Sequence, residues 1–388
     1  METPKTEKPL KLGVIGATRR GLIAKMAHRP EEGSMLVAAC ALEQETLDNY
    51  KNEYGKGFFT TTDYRELLGI QDIDAVFICS PDWLHEEHAV VAMEHGKAIF
   101  LEKPITITVD SGQRLLRKAR ELSGRIYPGH NMRFMSVMQK MKEIAASGRI
   151  GEIQAIWCRH FISYGGDAYY RDWHAERKYG NGLLLQKAAH DIDMIHWFAN
   201  SFTSQVVAMG KLSVYDKAIH RKSGEKIPPI RSDRKNWPPL QQTGFNPNMD
   251  VEDHNMVLMQ LQNGIQASYT QCHYAPDDHR NYTIIGTRGR IENCGDHSFD
   301  DHWASIRIWD KRCGYLETGV ESLALHPVEG THGGADPQIV EDFLHFLRGN
   351  PSNGATLEEA YMAMATAAMA TESLRNGCNS RRVPRWNE

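Results

Sequence analysis

Apolar positions in the first 131 residues fall into short runs separated by stretches with helical spacing. Leu10-Lys11-Leu12-Gly13-Val14-Ile15-Gly16 closes on glycine, and a helix-like segment follows at 22–28. Further apolar runs at 35–41, 75–79, 98–101 and 125–127 are mostly separated by helical segments at 45–54, 85–95 and 110–122. Strands and helices alternating at these lengths predict an α/β domain with a parallel, doubly wound sheet. A connecting helix at 134–147 leads into a different pattern, with strands expected at 153–162, 206–214, 256–261, 266–272, 281–285 and 306–309. Helices are expected again at 337–347 and 357–376. The division expected is a first domain at 1–131 and a second at 132–388, the last helices packing back on the first.

Length supports that division, because 388 residues exceed what one hydrophobic core usually serves. A net charge of −4 argues against a nucleic-acid partner and against disorder. No apolar run is long enough to span a bilayer, and the polar N-terminus lacks a signal-peptide core. The seven cysteines are scattered and show no CxxC spacing, so reduced thiols and a cytoplasmic location are expected.

The turn after the first strand is a degraded GxGxxG, with Gly16 and Gly21 in the first and third places and Thr18 in the second. In the full motif the second glycine admits the pyrophosphate to the backbone, and the helix N-terminus attracts its charge. Placed at the first strand of an alternating pattern, the motif points to a Rossmann dinucleotide-binding domain. The acidic residue expected at the end of the second strand is replaced by Ala41, with Glu43 two positions later. Glu43 is the candidate for the ribose hydroxyls. Alternatively the missing carboxylate leaves room for a 2′-phosphate, with Arg19 or Arg20 as its partner. NAD is favoured, and NADP stays open.

Ser80-Pro81-Asp82-Trp83-Leu84-His85, Gly96-Lys97, Glu102-Lys103-Pro104 and Gly129-His130-Asn131-Met132-Arg133-Phe134 occur in that order. With Val251-Glu252-Asp253, Asn263-Gly264 and the run from Ile285 to Glu292, they resemble the Gfo/Idh/MocA oxidoreductase family over essentially the whole chain. The resemblance implies a second α+β domain built on a large, open, mostly antiparallel sheet whose bare face forms subunit contacts, hence a homodimer or homotetramer. It implies cofactor contacts from Ser80, Pro81, His85, Glu102, Lys103 and Asn131, and a substrate contact from Arg133. Pro104 independently forbids a continued ladder, so the chain must turn away beside the crevice where such sheets bind ligands.

Gln186, His190, Asp193 and Trp197 are spaced to share one helical face. In the family this helix presents DxGxHxxD to substrate; His190 and Asp193 match, whereas Gln186 and Ala188 replace the Asp and Gly. Lys187 and Asp191 form a second i, i+4 pair. The variant resembles a branch in which Arg171, Trp173, His174 and Arg177 also find matches, and they are expected near substrate. The glycine-rich loop His332-Gly333-Gly334-Ala335-Asp336 is expected to close the pocket.

Oxidising a secondary alcohol requires a proton acceptor, a cation for the developing alkoxide and an aligned carbinol hydrogen. His190 is the expected acid or base and Lys103 the expected cation or relay. Lys187 supplies a second cation, suited to an anionic or keto-sugar substrate. The substrate class is a sugar, sugar acid or cyclitol. Metal is not expected, because no cysteine pair or HExxH accompanies His190, Asp193 and His196. Two alternatives remain: a redox-neutral NAD-dependent glycosidase, in which Tyr170 removes the C2 proton, and a non-catalytic, sugar-sensing regulator. The eight Lys and Arg residues from Lys211 to Lys235 read as a solvated loop, a lid or a subunit-embracing arm.

Overall fold

The computed structural model describes residues 8–222, 224–227, 235–298 and 302–387. Arg231 and Arg234 of the basic segment fall outside them.

Six strands of the first unit pair in the order β3-β2-β1-β4-β5-β6, every neighbour parallel. In chain order the elements are β1 (Leu10–Ile15), β2 (Ser34–Cys40), α1 (Gln44–Tyr54), β3 (Phe59–Thr61), α2 (Tyr64–Leu68), β4 (Ala75–Ile78), α3 (His85–Glu94), β5 (Ala98–Leu101), α4 (Val109–Glu121) and β6 (Ile126–Pro128). Strands β4 and β5 are buried at every position, as befits central strands covered on both faces. The strand order reverses beside β1, which places a ligand crevice beyond the carboxyl ends of β1 and β4. The segment after β1 is a 3-10 helix, Arg19–Ala27, in place of the expected α-helix.

The second unit is a nine-stranded sheet in the order β16-β15-β14-β13-β7-β12-β11-β8-β17, with only β7 and β12 parallel. Its elements are α5 (Ser136–Ala146), β7 (Ile153–Phe161), the short helices α6 (Gly165–Tyr169) and α7 (Arg177–Gly180), α8 (Leu183–Ala199) and β8 (Thr203–Lys211). A separate parallel pair, β9 (Ile219–His220) and β10 (Thr243–Phe245), precedes β11 (His254–Leu261), β12 (Gln266–Cys272), β13 (His279–Gly286), β14 (Arg290–Cys294), β15 (Ser305–Trp309) and β16 (Glu321–Ala324). The chain ends with α9 (Ala335–Leu347), α10 (Leu357–Arg375) and β17 (Arg381–Arg382).

Strand β8 stops at Lys211 rather than running on to Val214, for a local reason. The Asp253 carboxylate accepts from the backbone N–H groups of Ser213, Val214 and Tyr215 at 3.0, 2.7 and 3.2 Å, drawing them out of the ladder. The sheet's two faces differ. Asn255, Val257 and Met259 of β11 are buried, whereas Met256 and Leu258 are more than 60% exposed, as is Met209 of β8. Contacts divide the chain into a first unit reaching to Thr106 and including Asp110–Asn131 and Asp336–Glu358, and a second unit holding the rest. Helix α9 thus belongs almost wholly to the first unit, where Phe343 packs edge-on against Phe77 and Phe100.

Candidate active site

In the first unit, the Gly16–Gly21 turn is seated so tightly that side chains are excluded. Gly16 has φ +79, and a Cβ there would lie 2.6 Å from the backbone of Cys79 and Ser80. A Cβ on Gly21 would lie 2.0 Å from the Gly16 carbonyl oxygen. The turn is pinned to β2 by the N–H groups of Gly16 and Ala17, which donate to the Cys40 carbonyl at 3.0 and 3.1 Å. Such a bare, pinned backbone at a strand end suits a pyrophosphate. Thr18 caps the 3-10 helix without a side-chain bond and is half-buried, leaving its hydroxyl available to a phosphate. Arg19 is exposed in a left-handed conformation, and Glu43 is exposed at the start of α1.

Arg20 does not stand ready for a 2′-phosphate. Its Nε donates to Glu102 and its Nη1 to Asp336 at 2.7 Å. Asn131 donates from Nδ2 to the other Asp336 oxygen at 2.9 Å. Burial opposes the Arg20 charge, yet Glu102 and Asp336 hold its pKa above the ordinary value. Glu102, Arg20, Asp336 and Asn131 therefore form one network tying the turn to the ends of β5 and β6.

His85 joins two loops at the strand ends. Its Nδ1 lies 2.7 Å from the Pro104 carbonyl oxygen and its Nε2 lies 2.8 Å from that of Ser80. Burial lowers its pKa while the two carbonyls, which both call for an N–H donor, work the other way. The Ser80 side chain meets His88 Nδ1 at 2.9 Å, and Pro81 starts the short turn that leads into α3. Lys103 is the second residue past the end of β5, is half-buried, and its backbone N–H donates to the Glu102 carboxylate at 3.1 Å.

In the second unit, α8 is buried at every position except His190 and Trp197, which keep partial exposure. Gln186 is buried on the same face as His190. Arg133 and Asp193, both expected at substrate, are partners of one another: Nε and Nη2 donate to the two carboxylate oxygens at 2.9 and 2.7 Å. Arg133 also donates to Glu359 at 3.0 Å and lies 5.9 Å from the Trp197 ring.

Lys187 and Asp191 do not pair. Asp191 accepts from Tyr282, lies 3.0 Å from His160 Nδ1, and meets Arg280 at 3.2 Å. Lys187 instead stands over the rings of Tyr169 and Tyr164, at 4.4 and 5.6 Å from their centroids. Arg280 and His160 carry no motif that singles them out in the sequence, whereas Asp336 ends the glycine-rich loop expected to close the pocket and is instead bonded to Arg20 and Asn131. The strand expected at 281–285 leaves out Arg280, although β13 begins at His279 and puts Arg280 and Tyr282 on one face.

Tyr170 is a core residue. It stacks on Tyr215 at 4.3 Å and donates to the Glu252 carbonyl at 2.8 Å, and burial drives its pKa well above the ordinary value. A buried phenol held protonated is unsuited to removing a proton from carbon. Arg171 donates to Gln242 at 3.1 Å and to the Thr243 carbonyl, and also meets Asp167. His174 shares a hydrogen bond with Asp172 at 2.6 Å and stacks on Trp173 with centroids 3.6 Å apart. Arg177 ion-pairs with Glu252 at 3.0 Å. His332 is exposed at φ +52 in the loop before α9.

Two family models match in tandem. "Oxidoreductase family, NAD-binding Rossmann fold" covers residues 10–130, and "Oxidoreductase family, C-terminal alpha/beta domain" covers residues 142–380. The chain belongs to the Gfo/Idh/MocA oxidoreductase family. Residues 10–130 of the first unit are that family's NAD-binding Rossmann domain. YteT of Bacillus subtilis, which carries the name of an oxidoreductase, is 24% identical over 76% of both chains. The 1,5-anhydro-D-fructose reductase of Ensifer adhaerens is 30% identical over 53% of this chain and 59% of its own. Among solved structures, scyllo-inositol dehydrogenase from Lactobacillus casei, with bound NAD(H) and scyllo-inositol, superposes with TM-score 0.71 at 23% identity, covering 97% of this chain and 99% of that one. At that identity the likeness speaks for the fold. Among the described residues, no helix is long and apolar enough to cross a membrane.

Proposed function

We propose that this NAD(P)-dependent oxidoreductase interconverts a secondary alcohol and a ketone on a sugar, sugar acid or cyclitol. Relatives named as an anhydrofructose reductase and an inositol 2-dehydrogenase support that substrate class. The nicotinamide, when bound, accepts or supplies the hydride at the carbinol carbon. His190 takes the hydroxyl proton in the oxidative direction and returns it in the reductive one. Lys103 supplies positive charge to the developing alkoxide. Gln186, which cannot exchange a proton, orients the hydroxyl by hydrogen bonding. The observation that carries the assignment of His190 is its partial exposure on a helix that is otherwise buried except at Trp197.

The cofactor is read as NAD, because Arg20 is committed to Glu102 and Asp336 rather than left for a 2′-phosphate. The substrate side is read as Trp173, His174 and the His332 loop. Arg171, held by Gln242 and Thr243, serves the framework around that side rather than the substrate. The exposed Met209, Met256, Leu258 and Trp157 of the large sheet support a homodimer or homotetramer. The seven cysteines, all free, support a reducing, cytoplasmic setting.

The test is a 340 nm assay with NAD or NADP across sugars, sugar acids and cyclitols, in parallel with aryl glycosides. NADH or NADPH formation with at least one polyol supports the dehydrogenase. Release of the aryl group with no net reduced cofactor would favour the redox-neutral glycosidase, which the burial of Tyr170 disfavours.

A further inference from the structure

Next to His190 on α8, the second unit holds a group of buried hydrogen-bond donors that the mechanism above leaves unused. Lys187 precedes His190 by one helical turn, so their side chains emerge as neighbours. Among the described residues no carboxylate lies within ion-pair distance of Lys187; its ammonium rests on the Tyr169 and Tyr164 rings. The Tyr169 ring also meets His273 edge-on at 5.9 Å, which brings Lys187 and His273 to one aromatic wall.

His273 is fully buried, and neither of its ring nitrogens has a hydrogen-bond partner. Two residues earlier, near the end of β12, Gln271 is also buried. Its Oε1 accepts from Tyr269 at 2.9 Å, while its Nε2 has no partner. Gln271 lies in register with His160 of β7, whose ring meets Asp191. The nearby Asp191 is already committed to Arg280, His160 and Tyr282, and so does not neutralise Lys187.

A buried ammonium without a counter-charge and two unsatisfied polar side chains are costly unless something completes them. We propose that Lys187, Gln271 and His273 receive a carboxylate on the substrate, so that the preferred substrate is a sugar acid rather than a neutral sugar or cyclitol. The inference rests on the reading of His190 as the group that faces the carbinol. A carboxylate is the fitting ligand because it accepts from an ammonium, an amide N–H and an imidazole N–H together. Neutral hydroxyls would leave the Lys187 charge uncompensated.

The test is calorimetric binding of D-glucuronate, D-galacturonate and D-mannuronate against D-glucose, D-galactose and D-mannose, with the purified protein in the presence of NADH. At least one uronate should bind roughly tenfold or more tighter than its aldose. Lys187→Gln should erase that preference, Lys187→Arg should keep part of it, and Gln271→Leu should weaken it. NADH fluorescence titration of each variant reports whether the fold survives. Equal affinity for acid and aldose in the wild type, a preference that survives Lys187→Gln, or inorganic phosphate binding where uronates do not would each overturn the proposal. Because binding is read without turnover, a uronate that binds through Lys187 but is never oxidised would sink the dehydrogenase reading alone. Turnover of neutral sugars with no acid preference would sink this inference alone.

Discussion

Arg133 and Asp193 meet in a two-pronged ion pair inside the second unit, both side chains nearly inaccessible to solvent. Burial works against the Arg133 charge, and Asp193 with Glu359 more than offsets it, holding the guanidinium's pKa above its ordinary value. Asp193→Asn removes one partner and leaves a buried cation, which should cost roughly 3–5 kcal/mol of stability. Urea unfolding measures it. If Asp193 served substrate alone, stability would be unchanged and only KM would rise.

Arg20 offers a test of cofactor choice. Because Glu102 and Asp336 claim its guanidinium, Arg20→Met should weaken NAD and NADP by a similar factor, through the loss of loop order. Fluorescence titration with NADH and NADPH gives the ratio. A selective loss of NADPH affinity would return Arg20 to the 2′-phosphate.

Gly21 tolerates no side chain. A Cβ 2.0 Å from the Gly16 oxygen forces the backbone of the turn to move. Gly21→Ala should cost on the order of 1–3 kcal/mol and reduce NADH binding below detection at millimolar cofactor. Retained binding would show that the turn is not the pyrophosphate cradle.

Acid should unfold the protein earlier than its carboxylates alone require. Burial lowers the pKa of His88 to about 4 and of His160 to about 4, from 6.5. Between those values the unfolded chain binds more protons than the folded one. The stability these histidines contribute is therefore complete above 6.5 and drains as pH falls toward 4, at up to about 1.4 kcal/mol per pH unit for each. Urea midpoints across that range measure the slope. His160→Gln should flatten it, and an unchanged slope would contradict the assignment.

The first unit is the more legible half, because β4 and β5 are buried on both faces and their sequences are unbroken apolar runs. Strand β3 escapes that pattern: Phe59–Thr61 is three residues long and only its last position is buried. The polar, alternating β16 escapes it for a similar reason, since Glu321–Ala324 has no buried position. At the site, helical spacing brings Gln186, His190 and Asp193 to one face, but spacing does not show that Asp193 is taken by Arg133. Nor does it separate Lys187 from Asp191, because their partners, Tyr169 and Arg280, come from other elements of the fold.

The most direct test of the central claim is kcat for His190→Ala relative to wild type, measured at 340 nm on the best substrate of the panel. The account predicts a fall of roughly 10²–10⁴ with NADH affinity unchanged. Wild-type turnover in that variant would contradict it and remove His190 from the chemistry.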